Sequence, residues 1–160
     1  MSDTPPEELA ALPDEAVFFR LFNEIGIIQQ LATSAFEKIL PHGLTQAQFN
    51  ILNHCVRLGD DKTPAQLAAA FQVTRGTMTS TLARLEQKGF ICVEPSKTDG
   101  RSKRVFLTES GRQAREEGLR QAAPLLNRTR EAMSREKAEG LIGPLSELRA
   151  WMDADRDRQD

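Results

Sequence analysis

The spacing of apolar residues predicts a long helix near the start of the chain that is covered on more than one side. From Asp14 to about Ile39, apolar side chains recur at steps of three or four, which indicates an amphipathic helix capped by Asp14. The stripe consists of Phe18, Leu21, Phe22, Ile25, Ile28, Ala32, Ala35 and Ile39. Phe19, Ile27 and Leu31 lie off this stripe. A helix that is apolar on two sides is buried on two sides, and in so small a chain the simplest second cover is another subunit.

The next part of the chain predicts three shorter helices. The segments Thr45–Gln48 and Thr63–Gln66 both have the sequence of a capping box. In this motif the Thr hydroxyl accepts a hydrogen bond from a backbone amide of the first turn, and the Gln side chain reaches back. We therefore expect helices that run to about Leu58 and Ala70. A third helix spans Thr74–Gly89, since glycine is favoured just past a helix end.

A β-hairpin is predicted after the third helix. The apolar period changes there from 3.6 to 2, which indicates two strands, Phe90–Glu94 and Arg104–Leu107. Asp99-Gly100 lies between them, and Asp-Gly flanked by apolar runs is a strong hairpin signal.

Two helices are predicted after the hairpin. Thr108 caps a helix to about Met133 that is interrupted by Pro124, and Ser134 caps the last helix. The apolar side of the last helix is formed by Ala138, Leu141, Ile142, Leu145, Leu148 and Met152. Pro144 lies within this helix, and we expect it to kink the helix or to shift its start.

These elements predict a mainly α fold (α+β), a winged helix-turn-helix with flanking dimerisation helices. The short connection Phe71–Val73 between two capped helices is typical of a helix-turn-helix. The expected parts are a flexible tail at 1–13, a dimerisation helix at 14–40, a DNA-binding lobe at 41–108, C-terminal dimerisation helices at 109–155 and a frayed tail at 156–160.

Charge is distributed unevenly along the chain. Its 160 residues are 39% hydrophobic and 28% charged, with a net charge of −2, which is an ordinary globular balance. Thr74–Val105 nevertheless holds seven basic and three acidic residues (+4), whereas the remainder holds 14 basic and 20 acidic residues (−6). A basic module on an acidic body is the pattern that phosphate binding requires.

No apolar run approaches the roughly 18 residues that a membrane span needs. The N-terminus also lacks the basic and apolar pattern of a secretory signal. We therefore expect a cytoplasmic, nucleoid-associated protein with no membrane partner.

The helix that begins at Thr74 carries side chains suited to the major groove of double-stranded DNA. Arginine can donate two hydrogen bonds to guanine, and threonine can contact a thymine methyl group, while Gly76 allows the backbone to approach closely. In the hairpin, Arg101 suits a narrow minor groove, and Asp99 is expected to brace the Arg101 guanidinium or to cap the amides of the turn. The expected DNA contacts are Thr63, Thr74, Arg75, Gly76, Thr77, Thr79, Ser80, Arg84, Lys97, Asp99, Arg101, Ser102, Lys103 and Arg104, of which Lys97, Lys103 and Arg104 meet phosphates.

Six segments resemble the multiple-antibiotic-resistance regulator (MarR) family of bacterial transcription factors. They are Leu44–Phe49, Thr63–Ala68, Val73–Thr79, Leu85–Phe90, Asp99–Ser102 and Val105–Thr108. The detailed match covers about Leu44 to Gly111, and its Asp-x-Arg-Ser wing is far more specific than a bare helix-turn-helix. Ser80 and Glu94 depart from the family, because many members carry a basic residue at or near these positions.

The resemblance implies a homodimer that binds a pseudo-palindromic operator, usually as a repressor released by a small, often aromatic or phenolic, effector. The dimer is then built from the first and last helices, and the candidate contacts are Phe19, Ile27, Leu141, Leu145 and Leu148. Candidate linings of the effector pocket are Phe22, His42 and Phe49. His42 either pairs with a carboxylate or is a solvated loop histidine.

The sequence offers no signature of an enzyme, a metal site or a cofactor, and we expect none of the three. His54 and Cys55 point about 100° apart on a helix, and no His/Cys pair has ligand spacing. Asp60-Asp61 is interpreted as solvated surface. Cys55 and Cys92 are interpreted as reduced thiols, with redox activity left open. The alternatives are a winged-helix protein-interaction module or a redox- or metal-responsive regulator.

Overall fold

The computed structural model describes residues 12–96 and 102–159 and divides into two compact units, one up to Arg120 and one from Gln121. The first unit contains α1 (Asp14–Glu37), a 3₁₀ turn (Pro41–Gly43), α2 (Gln46–Leu58), α3 (Pro64–Ala70), α4 (Arg75–Gln87), β1 (Ile91–Pro95), β2 (Lys103–Leu107) and the start of α5 (Glu109–Arg128). The second unit contains the end of α5, a 3₁₀ turn (Thr129–Glu131) and α6 (Arg135–Gln159). The fold class is mainly helical, as predicted. Apart from residues 12 and 13, the tail expected at 1–13 lies outside the described residues.

Both predicted capping boxes are present. The amide of Gln48 donates to Thr45 Oγ1 at 3.3 Å, and Gln48 Oε1 accepts from the amide of Thr45 at 3.2 Å. At the start of α3, the Gln66 amide donates to Thr63 Oγ1 at 3.1 Å, and the Thr63 amide donates to Gln66 Oε1 at 2.9 Å. These reciprocal bonds satisfy amides that a helix start otherwise leaves unpaired, so the starts of α2 and α3 are set by local sequence.

The hairpin is an antiparallel pair in which Ile91 lies opposite Leu107 and Glu94 opposite Arg104. The first strand is shifted by one residue from the prediction, to Ile91–Pro95, and the second begins one residue earlier, at Lys103, and ends at Leu107 as predicted. A third segment extends the sheet, because Asp61 N donates to Val105 O and Val105 N donates to Lys62 O, both at 2.9 Å. The turn between α2 and α3 is therefore part of the wing.

Asp60 is part of this anchor and does not belong to a solvated carboxylate pair as predicted. Its Oδ2 accepts from Leu107 N at 3.0 Å and lies 3.6 Å from Arg112 Nη2. The prediction was wrong at this residue because its partners come from about 50 residues further along the chain, which no local pattern reveals.

A single apolar core joins α2, α3, α4, the sheet and α5. Its fully buried side chains include Ile51, Leu52, Leu67, Met78, Leu85, Ile91 and Val105. Each such side chain contributes about 1.5–3 kcal/mol by leaving water.

Two glycines let α5 approach this core closely. A Cβ added at Gly111 would lie well inside van der Waals contact with the carbonyl oxygen of Phe90, and one at Gly118 would lie 2.5 Å from Phe49 Cε2. Ala114 lies on the same helix face and is 1% exposed. Helix α5 thus uses a small residue where it crosses the turn between α4 and β1 and another where it packs against Phe49 of α2.

Several helix boundaries differ from the predictions. Helix α1 begins at Asp14 with Pro13 as its N-cap, so Asp14 is not a cap, and α1 ends at Glu37. Pro124 and Pro144 both lie inside continuous helices, because a proline removes one helical donor without necessarily ending the helix. Helix α6 continues to Gln159, past the predicted end of the dimerisation helices at 155.

Within the part of the chain that the structure describes, no helix combines the length and the apolar character needed to cross a membrane.

Replacement of Gly111 by Ala is expected to destabilise the protein by about 2 kcal/mol or more, because the added methyl meets a backbone carbonyl that cannot rotate away. The matched control is Gly140→Ala in α6, where an added Cβ has no atom within 4 Å. The control should be roughly 0.5–1 kcal/mol more stable, since Ala favours a helix interior over Gly. Urea unfolding at one protein concentration measures both, and equal effects would contradict the packing described here.

Candidate nucleic-acid interface

Helix α4 has one buried side and one exposed side. Met78, Leu82 and Leu85 are at most 3% exposed and face the core. The exposed side carries Arg75, Thr77, Thr79, Ser80 and Arg84, as predicted from their spacing. This helix therefore presents its polar side chains on the outer surface of the lobe.

Two hydroxyl groups of α4 already donate hydrogen bonds within the helix. Thr79 Oγ1 donates to Arg75 O at 2.8 Å, and Thr81 Oγ1 donates to Thr77 O at 2.9 Å. A hydroxyl has one proton and two lone pairs, so Thr79 offers an acceptor and a methyl group to a ligand. These groups fit the amino group of adenine or cytosine and the methyl group of thymine.

The start of α4 is capped from its own sequence. The Thr77 amide donates to Thr74 Oγ1 at 3.1 Å, and the Thr74 and Thr77 hydroxyl oxygens are 2.9 Å apart. Thr74 is therefore the N-cap of the helix, which fixes the direction of the first turn and of Arg75.

A groove of about 340 Å³ joins α3, α4 and β2. Its lining consists of Thr63, Pro64, Ala65, Arg75, Thr79, Ser102 and Lys103. Five of these seven are predicted DNA contacts, and the described lining contains two cationic side chains and, among residues 12–96 and 102–159, no carboxylate. The sequence analysis did not include Pro64 and Ala65 among the groove residues. Their position in the first helical turn after Thr63, a predicted contact, could have indicated that they lie beside it.

Gly76 lies at the exposed start of α4 with free space around it. Among the described residues, and apart from the backbone of α4 itself and its chain neighbours, an added Cβ meets one heavy atom within 4 Å, Thr74 Oγ1 at 3.8 Å. The free lobe therefore has room for a side chain here, and a requirement for glycine would come from a ligand that approaches the backbone.

Arg104 is held inside the wing. Its Nη1 donates to Asp61 O at 2.9 Å and lies 3.7 Å from Asp61 Oδ1. Asp61 adopts a positive φ of 63°, so the guanidinium braces a turn that is costly for a non-glycine residue. The predicted phosphate contact by Arg104 thus has a structural competitor that the sequence did not reveal.

The tip of the wing lies outside the described residues. Lys97, Asp99 and Arg101 belong to it, so the expected minor-groove contact and its bracing carboxylate stay predictions.

The three candidate pocket residues occupy different settings. Phe22 is 44% exposed on α1, whereas Phe49 is 7% exposed and packs in the core against the face of α5 that carries Gly118. His42 Nε2 lies 3.1 Å from Glu117 Oε2 and its ring packs edge-on against Phe90 with centroids 5.5 Å apart. Of the two interpretations left open for His42, the structure has the pairing with a carboxylate.

Large apolar side chains are exposed on α1 and, separately, on α6. The predicted dimer residues Phe19, Ile27, Leu141 and Leu145 are 40–74% exposed in the single chain, and Leu148 is partly buried. On α1, Phe18, Ile28 and Leu31 are also exposed, as are Ile142, Trp151 and Met152 on α6. Monomeric proteins rarely expose contiguous apolar patches of this kind.

The two thiols are poor candidates for a redox switch. Cys55 is buried, and burial raises its pKa from 9.0 to about 11. Partial burial and the nearby carboxylates of Glu94 and Glu86 raise the pKa of Cys92. Reactive cysteines have a lowered pKa next to cationic groups. Among residues 12–96 and 102–159, no group of three His, Cys, Asp or Glu side chains is placed to hold a metal ion.

Comparison with known proteins finds relatives of this lobe. Residues 42–102 match the MarR family. The chain is 32% identical over 98 residues to the transcriptional activatory protein BadR of Rhodopseudomonas palustris, and the match covers 60% of this chain and 54% of BadR. The chain thus spans about half the length of this relative.

Solved structures share the winged-helix fold. A mutant of MarR from E. coli complexed with operator DNA aligns with a TM-score of 0.72 and 24% identity, over 86% of this chain and 99% of that chain. The organohalide-sensing regulator RdhR in its 2,4-dichlorophenol-bound form aligns with a TM-score of 0.74 and 21% identity, over 96% and 89%. At these identities the likeness concerns the fold alone.

At neutral pH, the Cys92 thiol of the native protein should be alkylated by iodoacetamide more slowly than the same thiol in urea. A raised pKa keeps the thiol protonated, and only the thiolate reacts. The native rate should rise with pH as the thiolate forms. Mass spectrometry of the alkylated peptide separates Cys92 from Cys55, and Cys92→Ser supplies the blank. A native rate above the rate in urea would reopen the redox interpretation.

Proposed function

We propose that the chain is a member of the MarR family and a sequence-specific regulator of transcription that binds double-stranded DNA as a homodimer. The observation that carries this proposal is the groove where the start of α3, the exposed side of α4 and β2 meet. Two cations and three hydroxyl side chains line it in the part of the chain that the structure describes, which suits a phosphate beside a base edge.

Helix α4 supplies the sequence reading in this proposal. Arg75 and Arg84 are exposed on its polar side, and each can donate two hydrogen bonds to guanine. A bidentate contact of this kind discriminates by roughly 1–3 kcal/mol. Thr77 and Thr79 add methyl groups and acceptors, while Ser80 provides a neutral contact where many family members carry a cation.

The wing and the start of α3 supply affinity. Lys103 and Ser102 line the same groove as Thr63. A phosphate that binds in this groove is therefore contacted by the start of α3 and by the start of β2. Lys97 and Arg101 extend the contacts in the proposal, with Arg101 in the minor groove and Asp99 as its brace. Arg104 contributes indirectly, because it holds the base of the wing through Asp61.

A second copy of the chain is the proposed cover for the exposed apolar sides of α1 and α6. Two lobes held by a shared dimerisation region read a pseudo-palindromic operator when their α4 helices lie about 34–36 Å apart, one turn of DNA. A small aromatic or phenolic effector that binds one spacing of the two α4 helices better than another shifts the equilibrium between these spacings. Phe22, His42 and Phe49 are the proposed linings of the effector pocket.

The direction of regulation has two candidates. The family pattern favours a repressor that releases DNA when the effector binds. The relative BadR is named a transcriptional activatory protein, which favours an activator. A reporter gene behind the selected operator distinguishes the two by the sign of the change on deletion of the regulator.

Selection of bound duplexes from a random DNA pool tests the proposal directly. A palindromic motif should emerge, and its affinity should fall steeply with salt because phosphate contacts release counterions. Equal affinity for all duplexes would overturn sequence-specific binding. Binding to no duplex, at any salt concentration, would leave the winged helix as a protein-interaction module.

Replacement of Gly76 by Ala is expected to weaken operator binding while leaving the fold intact. The added methyl fits the free protein, since its nearest neighbour is 3.8 Å away, but it occupies the space through which DNA reaches the backbone of α4. The loss should be about tenfold, as for one specific contact, with an unchanged melting temperature. Gly140→Ala is the control. An unchanged operator affinity of Gly76→Ala would contradict a close approach of DNA to the backbone of α4.

Replacement of Phe19 by Ser should shift the protein towards monomers and lower its operator affinity. Phe19 is the most exposed large apolar residue of the described chain at 74%, and covering such a side chain contributes about 1.5–3 kcal/mol. Leu58→Ser is the control, because Leu58 is 62% exposed at the end of α2 and belongs to neither of the two proposed dimerisation helices. Light scattering on a sizing column measures the mass, and a monomeric wild type would refute the dimer.

A further inference from the structure

Lys88 binds the turn that follows α1. Its Nζ donates to His42 O at 2.6 Å and lies 3.3 Å from Gly43 O. Both carbonyls belong to residues with positive φ, 58° at His42 and 60° at Gly43. Two consecutive left-handed residues aim their carbonyls in a fixed direction, and the left-handed conformation of His42 is costly without such partners.

The same turn is fixed to α5 from its other side. His42 Nε2 lies 3.1 Å from Glu117 Oε2, and the His42 ring packs edge-on against Phe90. Glu117 lies on α5, and Phe90 directly follows Gly89 at the end of α4. The turn therefore contacts the end of α4, the residue before β1 and α5, and Lys88 provides the contact with α4.

Lys88 is also the C-cap of α4. A cation at this end of a helix interacts favourably with the unpaired carbonyls of the last turn. Arg75 and the groove lie at the other end of the helix, about 20 Å away at 1.5 Å per residue. A tilt of about 5° at Lys88 would therefore move the reading end of α4 by nearly 2 Å over that helical rise.

We propose that Lys88 is a positioning residue for DNA reading, and that it sets the angle of α4 by fixing its C-terminal end to the Pro41–Gly43 turn. The proposal rests on the proposed function and assigns to Lys88 no phosphate contact, although its charge belongs to the basic module of the sequence. Lys103, which lines the groove from β2, is the contrasting lysine.

Three variants separate positioning from phosphate contact. Lys88→Met keeps the length of the side chain and removes its donors, Lys88→Arg keeps charged donors, and Lys103→Met removes a groove lysine. Affinity is measured against salt on the operator selected by the wild type. It is also measured on two copies of that operator whose half-site spacing is one base pair shorter or longer.

Lys88→Met should weaken binding to the selected operator by about tenfold, the scale of a lost charged hydrogen bond, and should flatten the preference for one spacing. Its salt slope should equal that of the wild type. Lys88→Arg should restore most of the affinity and the spacing preference. Lys103→Met should lower the salt slope by about 0.9, as expected for one phosphate contact, and should keep the spacing preference.

Two results would overturn the proposal. A drop of the salt slope in Lys88→Met that matches Lys103→Met would make Lys88 a phosphate contact. The affinity of Lys88→Met could also fall equally on all three spacings, in proportion to the unfolded fraction seen by circular dichroism. Lys88 would then contribute to the stability of the fold and not to the position of α4. A wild type that selects no DNA would instead refute the proposed function.

Lysine acetylation footprinting of the wild type supplies a second measurement that does not depend on a variant folding. Quantitative mass spectrometry compares each lysine in the free protein and in the DNA complex. Addition of DNA should protect Lys103 and leave the reactivity of Lys88 unchanged. Protection of Lys88 by DNA would contradict the positioning role.

Discussion

Burial of one side of α4 is the constraint on which the rest of the lobe depends. Met78, Leu82 and Leu85 are almost completely buried, and together they contribute several kcal/mol at about 1.5–3 kcal/mol for each side chain. Because α4 cannot rotate without exposing them, its polar side must face outwards. The short hydroxyls and arginines of that side are thereby presented as a set, and the groove with α3 and β2 forms beside them.

A second group of interactions divides the basic residues by role. Arg104 and Lys88 bind backbone carbonyls of two strained turns, at Asp61 and at His42, whereas Arg75 and Lys103 line the groove. The positive charge of the Thr74–Val105 module is thus shared between holding the lobe together and meeting a ligand. A count of charges along the sequence cannot separate these uses, because both need a cation on the same stretch of chain.

Local sequence was a reliable guide wherever the partners are close along the chain. The capping boxes at Thr45 and Thr63 formed as predicted because each joins residues three positions apart. The end of α4 just before Gly89 and the hairpin that follows formed for the same reason, with three strand ends shifted by one residue from their predicted positions. The resemblance of six segments to the MarR family added the expected dimer, which stays a prediction, and a winged-helix lobe, whose fold the solved structures share.

The sequence by itself determined the order of the elements, which side of α4 is polar and which hydroxyl and cationic side chains that side carries, since all three follow from the period of apolar residues and from local capping. Only the tertiary structure decided what each charged group contacts. Asp60 pairs with Arg112, Arg104 with Asp61 and Lys88 with a turn 46 residues away. These contacts depend on which backbone segments the packed core brings together, and a pattern read over a few turns of chain contains no information about them.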